Sequence, residues 1–382
     1  MVRDEMLEFA RRTGLSPASS TPTRYLWTDA FAVCNFLELF RQSGDETYRR
    51  LAMDLVEQVH HTLGRYRQDG HRTGWISGLD EQEGQNHPTS GGLRIGKAMN
   101  ERGPLDPFDE RLEWDRDGQY YHYLTKWMHA LHCLGKVIRN SIYHTWAVEL
   151  AKTVHVRFTY ELPSGGPKRM YWKMSIDLSR PLVESMGRHD PLDGFITYNE
   201  LQAATTTGAN ASGHPDLQAE IADMARICEG RSWATDDPLG LGGLLCDAYR
   251  VAQLTVNGHF KQTDFLETLL EASLSGLQSF AQQHQLALPP DYRLAFRELG
   301  LSIGLHAVER LQACIGEHAG AFDIKRLRPT METLMRYRPL YEIIEGFWLK
   351  PMIRRADSWT GHQDINMVML ATSLAPDGFL RV

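Results

Sequence analysis

Two helical patterns alternate along the chain. Over 24–41, RYLWTDAFAVCNFLELFR, the apolar residues Leu26, Trp27, Ala30, Phe31, Val33, Cys34, Phe36, Leu37 and Phe40 surround almost the whole circumference, which predicts a helix buried on every side. The next segment, 45–64, keeps Tyr48, Leu51, Ala52, Leu55, Val56, Val59 and Leu63 on one stripe, with Arg49, Arg50, Asp54, Glu57 and Gln58 opposite. It predicts a surface helix capped by Asp45 and stopped by Gly64. The pairing recurs. Residues 119–139 are apolar nearly all round and 141–160 read as their partner. Residues 238–254 read as internal and 262–285 as amphipathic; after LPPD, 291–314 are internal, 329–346 external and 361–374 internal. With a helix at 3–13, roughly eleven helices result, in five or six hairpins. Residues 168–178, KRMYWKMSIDL, alternate like a short strand, and Pro181 and Pro191 interrupt the segment beyond it, so pattern alone assigns nothing to 161–213.

Buried helices alternating with half-buried ones, joined antiparallel, have a simple packing solution: an inner ring covered by an outer ring. The expectation is an all-α fold, an (α/α)6 toroid, in one domain over 1–382, because no linker-like or low-complexity stretch interrupts the chain. On WTDAF (27–31), the hairpin rhythm and the aromatic-rich loops before inner helices, the chain resembles the six-hairpin glycosidase-like superfamily. That superfamily carries glycoside hydrolases and unsaturated-glycuronyl hydrolases, and closely similar barrels carry N-acylglucosamine 2-epimerase-type sugar isomerases. The resemblance is architectural and carries over no catalytic residue.

Charge narrows the partners. A net charge of −7 and a pI near 6.1 leave no electrostatic footprint for nucleic acid or a membrane surface, and KPMIRRAD (350–357) reads as a loop beside a helix end. No run approaches the roughly 18 apolar residues of a membrane span. Charges of both signs in MVRDEMLEFARRTG argue against a signal peptide, so the expected location is cytoplasmic. Cys34, Cys133, Cys228, Cys246 and Cys314 are odd in number, widely spaced and mostly in apolar stretches, which predicts buried thiols rather than disulfides or a zinc cluster. The oligomeric state is not legible.

In such a toroid the loops from outer to inner helices share one rim. The longest, 65–118, is rich in Gly, Pro, His and acids, and GRSWATDDP (230–238) and FWLKPMIRRADSWTGHQD (347–364) reach the same rim. Trp75, Trp114, Trp233, Trp348 and Trp359 lie in or beside these loops, a distribution suited to stacking on sugar C–H faces, and Trp27 and Tyr121 join them as substrate-binding candidates. In LEWDRDGQYYHYL, Glu113, Asp115 and Asp117 stand where the mouth of an inner helix is predicted, beside His122; the alternative reading is a cap and two solvated acids. Asp29, a lone acid inside a greasy helix, is either catalytic or half of a buried hydrogen bond. MGRHDPLDGF crowds Arg188, His189, Asp190 and Asp193 together; Asp237, His362 and Asp364 complete the set, and Arg94 is a candidate clamp for an anionic sugar group.

The expected activity is glycoside hydrolysis by two carboxylates among Asp29, Asp115, Asp117, Asp190 and Asp193, with His189 beside them, acting on a small saccharide. The alternatives are a sugar epimerase or isomerase using histidine, and a non-catalytic saccharide-binding scaffold. No metal-ligand motif or cofactor loop is present, so neither metal nor cofactor is expected; GLGGLL (240–245) reads as close helix packing.

Overall fold

In the computed structural model, residues 1–207, 216–260 and 263–382 are described. Helix α1 (Val2–Arg12) is followed by α2 (Leu26–Ser43), α3 (Glu46–Leu63), α4 (Glu81–Asn86) and α5 (Glu110–Asp115). Strand β1 (Gln119–Tyr120) leads into α6 (Tyr121–Ile138) and α7 (Ile142–Phe158). Four short strands, β2 (Thr159–Tyr160), β3 (Arg169–Met170), β4 (Lys173–Met174) and β5 (Pro181–Val183), precede α8 (Asp190–Thr207) and α9 (Gln218–Cys228). The rest of the chain holds α10 (Pro238–Val256), α11 (Thr263–Gln282), α12 (Ala295–Glu317), α13 (Ile324–Met335), α14 (Leu340–Trp348), α15 (Asp357–Thr360), α16 (Gln363–Leu374) and α17 (Asp377–Leu380). The fold class is all-α. No helix among the described residues is long and apolar enough to cross a membrane.

The chain divides into two compact units, Ala10–Glu229 and Met1–Phe9 with Gly230–Val382. In the first, α2 packs on α6 and α6 on α8, while α3, α7 and α9 each cover the helix before them. Every residue of α2 from Leu26 to Leu39 is buried, whereas α3 buries a stripe that includes Tyr48, Leu51, Ala52, Leu55, Val56, Val59 and Leu63. The two periods read in the sequence are therefore an inner and an outer helix. Their turn is short because Gly44 adopts a left-handed φ of 71° and Asp45 caps α3, its Oδ1 accepting from the Thr47 amide at 2.9 Å. Gly64 does end α3, but with φ −79°. Glycine is required there by close approach, since a Cβ would sit 2.6 Å from the His60 carbonyl and 2.9 Å from that of Pro88.

The stretch 168–178 divides between two sheets: β3 pairs antiparallel with β2, and β4 lies between β1 and β5. Within 161–213, α8 begins at Asp190 with Pro191 in its first turn, where a missing N–H costs nothing, so the proline starts a helix instead of interrupting one. Residues 208–213 of that stretch lie outside the described residues.

In the second unit α10, α12 and α16 are the most buried helices; α11 flanks α10, and α13 and α14 flank α12. The amphipathic segment 262–285 appears as α11, its Gln262 lying outside the described residues. The external segment 329–346 is two helices, divided at 336–339 ahead of α14, with Pro339 at the N-cap. GLGGLL does serve close packing: a Cβ on Gly242 would lie 2.0 Å from the Gly300 carbonyl, and one on Gly304 would lie 2.6 Å from the Cα of Gly242. Because backbone atoms cannot retreat as a flexible side chain can, Gly242→Ala is expected to lower stability by about 1–3 kcal/mol. Urea denaturation checks this, and a variant as stable as the parent contradicts the tight α10–α12 crossing.

Candidate active site

Most of the acids singled out by sequence are tied into the scaffold of residues 10–229. Asp29 is buried in the first turn of α2, where Oδ2 accepts from the Tyr25 amide at 2.9 Å and Oδ1 lies 3.3 Å from Nη1 of the equally buried Arg24. Asp117 is fully buried and accepts from Arg94 Nη1 at 2.9 Å, the Gly96 amide at 3.0 Å, the Gly118 amide at 3.1 Å and Arg67 Nη1 at 3.4 Å. The remaining guanidinium nitrogens of Arg94 donate to the carbonyls of Arg65 and Thr62, at 3.0 and 2.8 Å. All three guanidinium nitrogens of Arg94 thus donate to the protein and its side chain is largely buried, so the clamp expected of it is corrected to a loop anchor. Glu113 is buried between Arg102 Nε and Lys173 Nζ, both at 3.0 Å.

The expected mouth of the inner helix is also corrected. Asp115 is the exposed last residue of α5, and α6 starts only at Tyr121, with no side-chain cap. The two-residue strand β1 separates the acids from the helix.

The tryptophan rim does not form as expected. Trp75, Trp233, Trp348 and Trp359 are at most 2% exposed, and only Trp114, at 47%, faces solvent. The long loops carry packing of their own: Trp75 sits against Gly84, where a Cβ would come within 2.2 Å of the indole, and under the Arg65 guanidinium at 4.3 Å. Trp348 and Trp359 stack at 5.9 Å, and Trp348 Nε1 donates to Glu298 at 2.8 Å. Tyr121 is likewise internal, donating to the Tyr198 hydroxyl at 2.8 Å.

One cluster has a different character. His122, in the first turn of α6, puts Nδ1 3.5 Å from Oδ1 of Asp190, in the first turn of α8. One helical turn further along each helix, Lys126 Nζ donates to Asp193 Oδ1 at 2.8 Å. Among the described residues, His122 Nδ1 and Asp190 Oδ2 have no hydrogen-bond partner. Burial raises the Asp190 carboxyl well above the ordinary range, the neighbouring Asp193 charge adds to this, and Lys126 opposes it. Burial pushes His122 down to about 4, against the pull of Asp193. At neutral pH the imidazole is therefore uncharged, and it lies beside a carboxyl whose hold on its proton burial strengthens. The His122 side chain keeps 24% of its surface exposed, so the pair is reachable.

Aromatic rings enclose the histidine. Tyr120 stacks on it at 5.4 Å and Trp172 lies parallel at 6.3 Å, while Tyr123 and Trp27 approach edge-on at 4.8 and 6.0 Å. Tyr120 and Trp172 also line a cleft of about 210 Å³ with Trp114, Phe108, Glu110 and Glu113. That is below the roughly 300 Å³ at which drug-sized pockets begin, and suits a small ligand. Arg188 is exposed and His189 half-buried just before α8. Lys126 and Trp172 escaped the sequence reading. The first had a signal, since His122 and Lys126 share a helix face at i, i+4.

In the other unit, Asp237 is the N-cap of α10, accepting from the Gly240 amide at 2.8 Å and pairing with Arg297. His362 is an exposed N-cap residue of α16, with Asp364 half-buried in the first turn. KPMIRRAD contains an inward ion pair, Arg354 with Glu5 at 2.6 Å. A cavity of about 340 Å³ is lined there by Asp264, Glu267 and Arg326, the arginine pairing with both acids.

No family model and no curated protein matches the chain. Among solved structures the chain is similar to the cellobiose 2-epimerase from Spirochaeta thermophila DSM 6192, at 14% sequence identity and a TM-score of 0.46, over 88% of this chain and 84% of that one.

Proposed function

We propose that the chain is a carbohydrate-active enzyme of the epimerase or isomerase kind, shifting a proton at the carbon beside the carbonyl of a small free sugar. The observation that carries this reading is the buried His122–Asp190 pair beside an aromatic-walled cleft. Abstraction of such a proton needs a base that is unprotonated near pH 7, and burial keeps His122 in that form. Once the imidazole has taken the proton, the nearby Asp190 and Asp193 carboxyl groups hold its charge. Tyr120 and Trp172 give the sugar ring an apolar face to rest on.

Hydrolysis by two carboxylates is less well supported. It requires acids flanking the scissile bond on opposite sides, whereas Asp190 and Asp193 share one helical turn, and Asp29 and Asp117 are engaged by arginines. The test is incubation of the full chain with free aldoses and reducing disaccharides in D2O. Deuterium is expected at the carbon next to the carbonyl, read by proton NMR. Release of monosaccharide from glycosides without any exchange into free sugars overturns the proposal.

A further inference from the structure

We propose that residues 10–229 bind a zinc ion between α2 and α6, ligated by Cys34, His129 and Cys133. Cys34 comes from α2, while His129 and Cys133, at i and i+4, share one face of α6, the helix packed against α2. All three side chains are buried, and their ligand atoms lie within 4.8 Å of one another. The separation that can be checked against coordination geometry fits. Zn–S and Zn–N bonds of about 2.3 and 2.0 Å at a tetrahedral angle put sulfur and nitrogen about 3.5 Å apart, and Cys133 Sγ and His129 Nε2 are 3.5 Å apart.

The surroundings of the histidine fit as well. His129 Nδ1 lies 2.7 Å from Oε1 of Glu200, a fully buried acid on α8. That bond fixes the tautomer and turns Nε2 toward the two sulfurs, the carboxylate–histidine–metal arrangement that raises ligand basicity. Two sulfurs and an imidazole form a soft donor set that favours zinc over calcium or magnesium. The charges balance: binding releases the two thiol protons to solvent, and two thiolates neutralise the divalent ion, while Glu200 keeps its hydrogen bond. Three protein donors leave one tetrahedral vertex for a water. The ion would cross-link two helices of the unit and, through Glu200, engage a third.

The test uses the full chain, purified under reducing conditions without chelator and then incubated with zinc or cobalt(II) salts and desalted. Elemental analysis is expected to find about one zinc per chain. The cobalt form should show near-ultraviolet thiolate-to-cobalt absorption with visible bands of a tetrahedral site. Cys34→Ser and Cys133→Ser should each weaken the ultraviolet band, since one thiolate of two is gone, and Glu200→Gln should keep it with about 10–100-fold weaker affinity. If the serine variants do not fold, the parent protein still decides the matter, because its cobalt bands and a fall in Tm on chelation need no variant. The proposal is overturned if the parent retains no metal, if its cobalt spectrum lacks the thiolate band, if that band is equally intense in folded Cys34→Ser, or if mass spectrometry finds Cys34 and Cys133 joined as a disulfide.

Discussion

Replacing His122 with asparagine is expected to slow solvent exchange at the sugar carbon by about 10²- to 10⁴-fold, the usual contribution of a positioned general base. Asp190→Asn should give a loss of similar size together with an unusual stability profile. In the folded chain the Asp190 carboxyl holds its proton well above the ordinary range, whereas in the unfolded chain it loses it at about pH 4. Between those values the folded state binds more protons than the unfolded one, so this group makes stability fall as pH rises. Asparagine has no proton to lose. The variant should therefore gain on the parent as pH rises above about 4, melting at or above the parent temperature at neutral pH while turnover is lost. Thermal melts near pH 4 and at neutral pH, alongside the exchange assay, check it. A variant that melts lower at every pH would mark Asp190 as a fold position and remove it from the proposed chemistry.

The second large effect runs the other way. Asp117→Asn is expected to cost about 3–5 kcal/mol, because it leaves the Arg94 guanidinium charge buried and uncompensated and weakens acceptance from the Gly96 and Gly118 amides. Substituting both partners, Asp117→Leu with Arg94→Met, should cost less than the sum of the single changes, since no orphan charge remains. Urea midpoints of the two single variants and the double variant measure the coupling. Additive losses would mean that the pair is not the anchor of the 65–118 segment.

The inner and outer helices are legible in the sequence for a physical reason: a helix surrounded on all sides must be apolar all round, as in α2, and a helix with one wet face must be striped, as in α3. α8 is illegible because its buried positions include Asp190, Asp193, Thr197 and Glu200, so neither template fits, and its proline stands where helices begin. His122, Asp190 and Asp193 can be named as candidates from residue type and crowding. Their convergence cannot be read, since nothing local to 122 encodes a neighbour at 190. The tryptophans mislead because a place in a loop does not imply exposure: the segment 65–118 is long enough to bury Trp75, Leu93 and Ile95. Cys133 stands one helical turn from His129, but Cys34 is far away in sequence, and only the packing of α2 on α6 brings it to them.

Gln119 ties several strands of this scaffold together with one amide group: its oxygen accepts from the Leu93 backbone at 2.8 Å, and its nitrogen donates to the carbonyls of Gly91 and Ile176 at 3.0 and 2.7 Å. Glu101 accepts from the Ile176 amide at 2.6 Å, and Arg102 donates to the Leu182 carbonyl at 3.0 Å. Leu105, 98% exposed, sits at the tip between these fastenings. A protease nick beside it is therefore expected to sever a covalent link without releasing either fragment, the two eluting together in size-exclusion chromatography and separating only in denaturant.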